Sequence, residues 1–496
     1  MKLKLGIAIF YYELDEALKE VEVMTKLKDV LFNLDKREEI IRKEVEGHLS
    51  DFKVADTKEH IVATYFIHTI RGTDIKKSAQ EIARLQTSGE RYTGNGTGLQ
   101  KSTGYFLDSI PFNSEKTSGL VRIAFPVVNI WDTRYNTIYS SEILHILAGA
   151  VQFDFPKNVD IKLVDISMSE EIISAFPGPA FGPEGLREIA GYRPGVAFGT
   201  IGKPKTGLTA DEYALVIAEA ARNPLFLFVK DDENYGVWYK NCPLNERVKR
   251  VSEVIKKASK IRGKGEIVYA PHIGNCVQNL KKNIDVALDN GATAIMFSEI
   301  YGRGGVRLAR DYMMKAGRQV PIYGHNGGIT PLTRVIYREI LDMFARLDGI
   351  DIRQTGPVGT CKLPLLRPYG QEWEASERVL TEPLGKHKPV MIARAGGLDQ
   401  GNIILNLYDI EKRNYNESNF LMLAGSAINE WRDEMGKYNP KGGAIAMEQA
   451  IKIYEDYSFD PEPYSTHIER LYNCAKQLRC GELLSVLKQR YPEKSL

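Results

Sequence analysis

The chain has 496 residues, 43% of them apolar, with 66 basic against 64 acidic side chains and a formal net charge of +2. That length leaves room for two domains or more, and the balanced charge, with no long basic stripe, argues against a nucleic-acid partner. Five cysteines (Cys242, Cys276, Cys361, Cys474, Cys480) form no Cys-x-x-Cys pair, a pattern of buried thiols in a reducing compartment and not of a disulfide framework.

Residues 1–10 mix lysines with Leu, Ile and Phe, as a signal peptide would. Charged sequence follows directly after Tyr12 without a small-residue cleavage site, and no run approaches the roughly 20 apolar residues that span a bilayer. A cytoplasmic location, with no membrane contact, is expected. Leu14, Leu18, Val21 and Met24 recur at helical spacing, so residues 13–50 read as one or two amphipathic helices. They form an appendage packed on its own domain or a neighbouring subunit, or alternatively a partner-binding arm. Strands over 60–69, 119–128 and 159–167, with helices over 76–85 and 140–153, predict an α+β domain. Between them, residues 87–98 form a glycine-rich loop that suits either backbone contact with a phosphate or a plain flexible link.

From Gly195 the pattern alternates strictly. Buried-type strands are predicted at 195–202, 224–229, 266–270, 293–298, 320–324, 349–353, 389–394 and 420–424, with helices between them, including 243–261, 277–290 and 331–346. Such alternation is the signature of a (β/α)₈ barrel. A charged helical tail follows. The expected organisation is a helical extension (1–55), an α+β domain (56–177), a TIM barrel (178–460) and the tail (461–496).

Chemistry in such a barrel sits at the C-terminal strand ends. The second strand changes from six uncharged residues to Lys230-Asp231-Asp232-Glu233. Strand alternation puts Lys230 and Asp232 on one side and Asp231 on the other, with Glu233 at the turn. Two carboxylates suit a hard cation such as Mg²⁺. An ammonium cannot ligate a metal, but CO₂ added to the amine gives a carbamate with two more oxygens. Taken alone, the cluster reads equally as an ion-paired strand cap. The first strand offers Lys203 and Lys205 around Pro204, either two close cations that depress each other's pKa, as a proton shuttle requires, or two solvated lysines. The fifth strand ends at His325.

The segments Gly199-Thr-Ile-Gly-Lys-Pro-Lys-Thr-Gly-Leu208 and Lys230-Asp-Asp-Glu-Asn234, in this order and strand–helix–strand setting, resemble the ribulose-bisphosphate carboxylase (RuBisCO) large-chain superfamily. The similarity covers roughly residues 58–460, and residues 178–182 match its domain junction. The resemblance implies a carbamylated Lys230, Mg²⁺ on the Lys230 carbamate, Asp232 and Glu233, proton transfer at Lys203 or Lys205, and substrate contact at His325. It also implies a phosphate cradle at Gly396, Gly397 and Gly425. Asn326 stands where the family has a phosphate-binding arginine, and Arg353 is expected to replace that charge.

Other departures cluster in the parts that serve carboxylation. Thr360 takes the place of the loop lysine that positions CO₂, with Lys362 two residues on. Glu90 and Arg91 replace Thr-Trp, Leu85 or Gln86 stands where an acid is expected, Ala150 replaces an asparagine, and Ala395 a serine. The retained set implies a RuBisCO-like protein: an Mg²⁺-dependent enolase, isomerase or decarboxylase acting on a ketose phosphate or related sugar-acid phosphate through an enediolate. A homodimer or larger homo-oligomer follows from the family's shared sites. Two other readings stand beside it, a genuine carboxylase with a rearranged loop and a non-catalytic scaffold or regulator.

Overall fold

A computed structural model describes residues 37–70, 72–89, 97–151, 154–155, 158–191, 195–263, 265–359, 371–463 and 466–494. Most of the expected N-terminal helical segment, the centre of the glycine-rich loop with Glu90 and Arg91, and the stretch carrying Thr360 and Lys362 lie outside the described residues. The part of the N-terminal segment that is described, residues 37–49, is helical. It packs on its own chain: Val45 is buried in the N-terminal core, Arg42 meets Glu339 at 2.5 Å, and Lys162 donates to Glu38 at 2.7 Å.

The N-terminal sheet is antiparallel, in the order β2-β3-β1-β4, with β1 His60–Thr69, β2 Tyr105–Pro111, β3 Ser118–Pro126 and β4 Asn158–Ser167. Strand β2 was not expected. It is a half-exposed edge strand, so it carries neither a long apolar run nor a clean alternation. The helix expected over 76–85 is Ile75–Leu85, and the one expected over 140–153 is Ser140–Leu144, continued by a π-helical turn at His145–Gly149. This sheet shares a hydrophobic core with the barrel helix Arg338–Leu347, through Ile340, Leu341, Phe344 and Leu347.

The eight barrel strands are β5 Ala197–Ile201, β6 Phe226–Lys230, β7 Val268–Ala270, β8 Ile295–Ser298, β9 Ile322–His325, β10 Ile352–Thr355, β11 Met391–Ala395 and β12 Phe420–Ala424. All neighbours in the order β7-β6-β5-β12-β11-β10-β9-β8 are parallel. Three backbone bonds join the two ends of that order: Ala294 N–H to Tyr269 O, Met296 N–H to Pro271 O, both at 2.9 Å, and Ile273 N–H to Met296 O at 3.1 Å. The sheet is thereby drawn into a barrel without free edges, the way such proteins avoid unpaired strand groups.

Side-chain alternation divides the barrel into two cores. Val268, Ala270, Met296, Tyr323, Ile352, Ala393 and Leu423 fill the interior, while Val229, Tyr269, Phe297, Ile392 and Met422 face the surrounding helices. The helix Gly182–Ala190 lies beneath the interior and contributes Leu186 and Ala190 to it. Its start is held by Asp351, which accepts from the N–H groups of Phe181 (2.6 Å) and Gly182 (3.1 Å). The tail forms the helices His467–Gln477 and Gly481–Arg490, whose Leu471, Leu483, Val486 and Leu487 are buried in the outer core. Among the described residues no helix is long and apolar enough to cross a membrane.

Candidate active site

Strand β6 delivers the central group. Its uncharged residues are buried against both cores, and Lys230 at its end is fully buried. As alternation requires, Asp231 faces outward. It accepts from Arg247 Nε at 2.9 Å, the hydroxyls of Tyr213 (3.0 Å) and Tyr269 (2.9 Å), and the N–H of His272 (3.0 Å). Asp231 is thus a saturated structural anchor, and it fixes the backbone that aims Lys230 and Asp232 into the mouth.

Lys230 Nζ donates to Asp231 O at 3.1 Å, lies 3.5 Å from Glu233 Oε2, and stands 5.4 Å from the centre of the Tyr323 ring. Burial pushes its pKa down, and the attraction of Glu233 and Asp232 offsets only part of that. Burial works the other way on Glu233, but Lys230 and Lys203 outweigh it and hold the carboxyl below its usual range. Asp232 is paired with Lys203 Nζ and accepts from the N–H of Asn234 at 2.9 Å.

Lys203 reaches this carboxylate from the loop after β5. The loop leads into the helix Ala210–Ala221, whose start is fixed by a capping box: Glu212 N–H donates to Thr209 Oγ1, and the Glu212 carboxylate accepts from Thr209 N–H. Gly425, at the end of β12, makes room for the lysine, since a Cβ there would lie 3.3 Å from Lys203 Cε. Lys205 is exposed and is not brought into the cluster.

His325 ends β9 beside Ser298, its partner in register. Gly327 N–H donates to its Nδ1 at 3.0 Å. The neutral ring therefore carries its proton on Nε2, which points at Glu233 Oε2 3.3 Å away. Burial drives the His325 pKa well below its ordinary value, helped by Lys230, His272 and Arg353.

Arg353 requires a correction. It lies one residue past Ile352, which faces the interior, so it points outward. There it is fully buried and paired with Asp342 at 2.6 Å and with Glu299. A guanidinium saturated by two carboxylates behind the strand is not a phosphate ligand at the mouth. Gln354 is the β10 residue of interior parity, and its Oε1 accepts from Tyr323 OH at 2.7 Å. Gly396 and Gly397 follow β11 with φ of 94° and 109°, backbone that L side chains rarely adopt. Both therefore turn the chain at the rim next to Gly425, where the cradle was expected.

Sequence reasoning passed over His272 and Ser298, both buried at the rim. His272 Nδ1 lies 3.0 Å from Tyr235 O, while its Nε2 has no partner among the described residues. Each stands at or just past the C-terminal end of a barrel strand, the position at which Lys203 and His325 were read.

Among the described residues no three His, Cys, Asp or Glu side chains form a metal-binding group. The donor set fits this: two carboxylates share the mouth with an amine, and a third oxygen ligand would exist only if Lys230 were a carbamate. Burial, which lowers the pKa of this amine, favours the neutral form that such an addition needs. The residues fit a hard divalent cation on those terms.

A parallel eight-stranded barrel with a separate antiparallel N-terminal sheet is the RuBisCO fold, and the Lys-Asp-Asp-Glu cluster lies at its mouth. Residues 184–369 match the family model of the ribulose bisphosphate carboxylase large chain, catalytic domain. Over that stretch the chain is similar to the RuBisCO large chain, as the two sequence motifs led us to expect. It is 29% identical over 287 residues to the 3-oxo-isoapionate-4-phosphate transcarboxylase/hydrolase of Xanthobacter autotrophicus, covering 54% of this chain and 65% of that enzyme. It is 29% identical over 324 residues to the ribulose bisphosphate carboxylase-like protein of Chlorobaculum tepidum, covering 63% of this chain and 68% of that protein. In fold it resembles the octameric RuBisCO of Pyrococcus horikoshii, with a TM-score of 0.73 at 20% identity over 89% of this chain and 97% of that one.

Proposed function

We propose that this RuBisCO-superfamily enzyme removes the proton beside the carbonyl of a ketose phosphate or related sugar-acid phosphate, as an enolase, isomerase or decarboxylase. The observation that carries the reading is the convergence of Lys203, Lys230, Asp232, Glu233 and His325 on one interior rim of the barrel. Asp232, Glu233 and a Lys230 carbamate would hold Mg²⁺, which when bound supplies a Lewis acid for the substrate carbonyl. Lys203, seated on Asp232 beside Gly425, is placed to exchange a proton with a substrate at the rim. His325 presents an Nε2–H that Glu233 now accepts and that a substrate hydroxyl can take over. Gly396, Gly397 and Gly425 form the part of the rim open to backbone contact with a phosphate. A second copy of the chain completes the site in this reading, as a homodimer or larger homo-oligomer.

The test is solvent exchange. With Mg²⁺ and bicarbonate in D₂O, a panel of ketose phosphates should include one that gains deuterium at the carbon next to its carbonyl. Lys230→Ala should abolish the exchange while leaving the circular dichroism spectrum unchanged. Exchange that survives in that variant refutes the role of Lys230. Labelled bicarbonate entering phosphoglycerate from ribulose bisphosphate would replace this reading by the carboxylase one.

A further inference from the structure

A second cavity, of about 440 Å³, lies against the outer wall of the barrel. It sits between the helix Leu244–Arg262 and the N-terminal ends of β7 and β8, at the end opposite to the mouth. Its polar lining is rich in donors. Ser252, Lys256, Ser259 and Lys260 recur at helical spacing along one face of that helix, and Thr293 and Tyr269 lie across from them.

The hydroxyls are arranged to give protons to an occupant. Ser259 Oγ accepts from Ile267 N–H at 2.9 Å, and Thr293 Oγ1 accepts from Tyr269 N–H at 2.8 Å. Each hydroxyl therefore has an acceptor lone pair committed and its own proton free to donate. Ser252 is 5% exposed, and its hydroxyl has no hydrogen-bond partner among the described residues. A buried hydroxyl left so is uncommon and costly, and an acceptor in the cavity relieves it.

Gly291 marks the position. Its φ is +99°, and a Cβ built there would lie 3.2 Å from Ser252 Oγ and 3.7 Å from Lys256 Nζ. The hydroxyl and the ammonium thus both lie close against the Gly291 backbone, where a side chain would crowd them. Among the described residues Glu266 is the one carboxylate in the lining, so donors and positive charge prevail there. Ammonium groups with hydroxyl donors are the chemistry of phosphate recognition.

We propose that this cavity binds a small phosphate-bearing anion, at a site separate from the barrel mouth. Its geometry is independent of the mouth, so failure of either reading leaves the other standing. The probes are inorganic phosphate and ribose 5-phosphate, titrated against the full chain without Mg²⁺ and followed by hydrogen–deuterium exchange mass spectrometry. Protection is expected in peptides covering 249–270 and 289–294. Lys256→Gln/Lys260→Gln should weaken the response at least tenfold, and Ser252→Ala should weaken it several-fold without touching charge. A response to ribose 5-phosphate at tenfold lower concentration assigns the site to organic phosphate esters, and an equal response assigns it to the phosphate group alone. Protection confined to peptides of the mouth, or undiminished in the lysine double variant, overturns the proposal.

Discussion

Asp231→Ala removes one acceptor from four donors: Arg247 Nε, the hydroxyls of Tyr213 and Tyr269, and the N–H of His272. Arg247 is fully buried, and it also donates to Cys242 O at 2.7 Å. A buried cation stripped of its carboxylate costs about 3–5 kcal/mol. The two stranded tyrosine hydroxyls each add about 1 kcal/mol or more. The sum approaches the whole stability of an ordinary protein, about 5–15 kcal/mol. Asp231→Ala should therefore shift the urea unfolding midpoint far down, read by tryptophan fluorescence. Asp231→Ala/Arg247→Met should recover about 2 kcal/mol or more, because the uncompensated charge is gone. A loss below about 1 kcal/mol in the single variant, or no recovery in the double one, would refute the account of Asp231 as the anchor behind Lys230.

Asp348 is buried, which pushes its pKa up to about 7 despite the hydroxyl of Ser140 and the charges of Arg303 and Arg307. A raised folded pKa means stability that is complete below the unfolded value, near pH 4, and lost as pH rises through about 7. Asp348→Asn should abolish that loss, so wild type should fall by roughly 3 kcal/mol relative to the variant between pH 5 and 8, measured by chemical unfolding at both values. Arg353→Met should destabilise the fold by about 3 kcal/mol, since it takes a buried cation from both Asp342 and Glu299 and leaves them only Arg338 and Arg303, and should leave the KM for a phosphorylated substrate within about twofold. A tenfold rise in KM at unchanged stability would return Arg353 to the phosphate site. His325→Gln should lower kcat and leave the fold intact, because Glu233 and Gly327 are the two contacts it gives up. Near wild-type turnover would remove His325 from the site.

The barrel was legible because each of its strands is a short apolar run between helices, and because burial on both faces leaves little room for another reading. The placement of Lys230 and Asp232 followed from alternation alone, and the structure puts Asp231 on the opposite side as expected. Arg353 was misplaced for a related reason. The sixth strand was expected at 349–353, which made Arg353 its tip, but the strand is Ile352–Thr355, so Arg353 lies inside it, and alternation from the inward-facing Ile352 turns it outward. Nothing local revealed the shift, because the partners of Arg353, Glu299 and Asp342, come from distant elements. Strand β2 was missed because an edge strand half in solvent needs no apolar pattern. His272 and Ser298 were missed for want of a motif, although the rule that found His325 applies to both.

The pairing of β12 with β5 has a consequence for how the protein is made. Thr200 Oγ1 donates to Ala424 O across 224 residues of sequence, and Gly425 beside them leaves the opening that Lys203 occupies. A ribosome releases the first barrel strand long before the last, so a nascent chain that already holds Lys203, Lys230 and their carboxylates still lacks the Gly425 side of the Lys203 seat. Acquisition of the reactive constellation waits for the final strand to dock, and any fragment ending before residue 420 would hold most of the acidic cluster while lacking the wall that orients its basic partner.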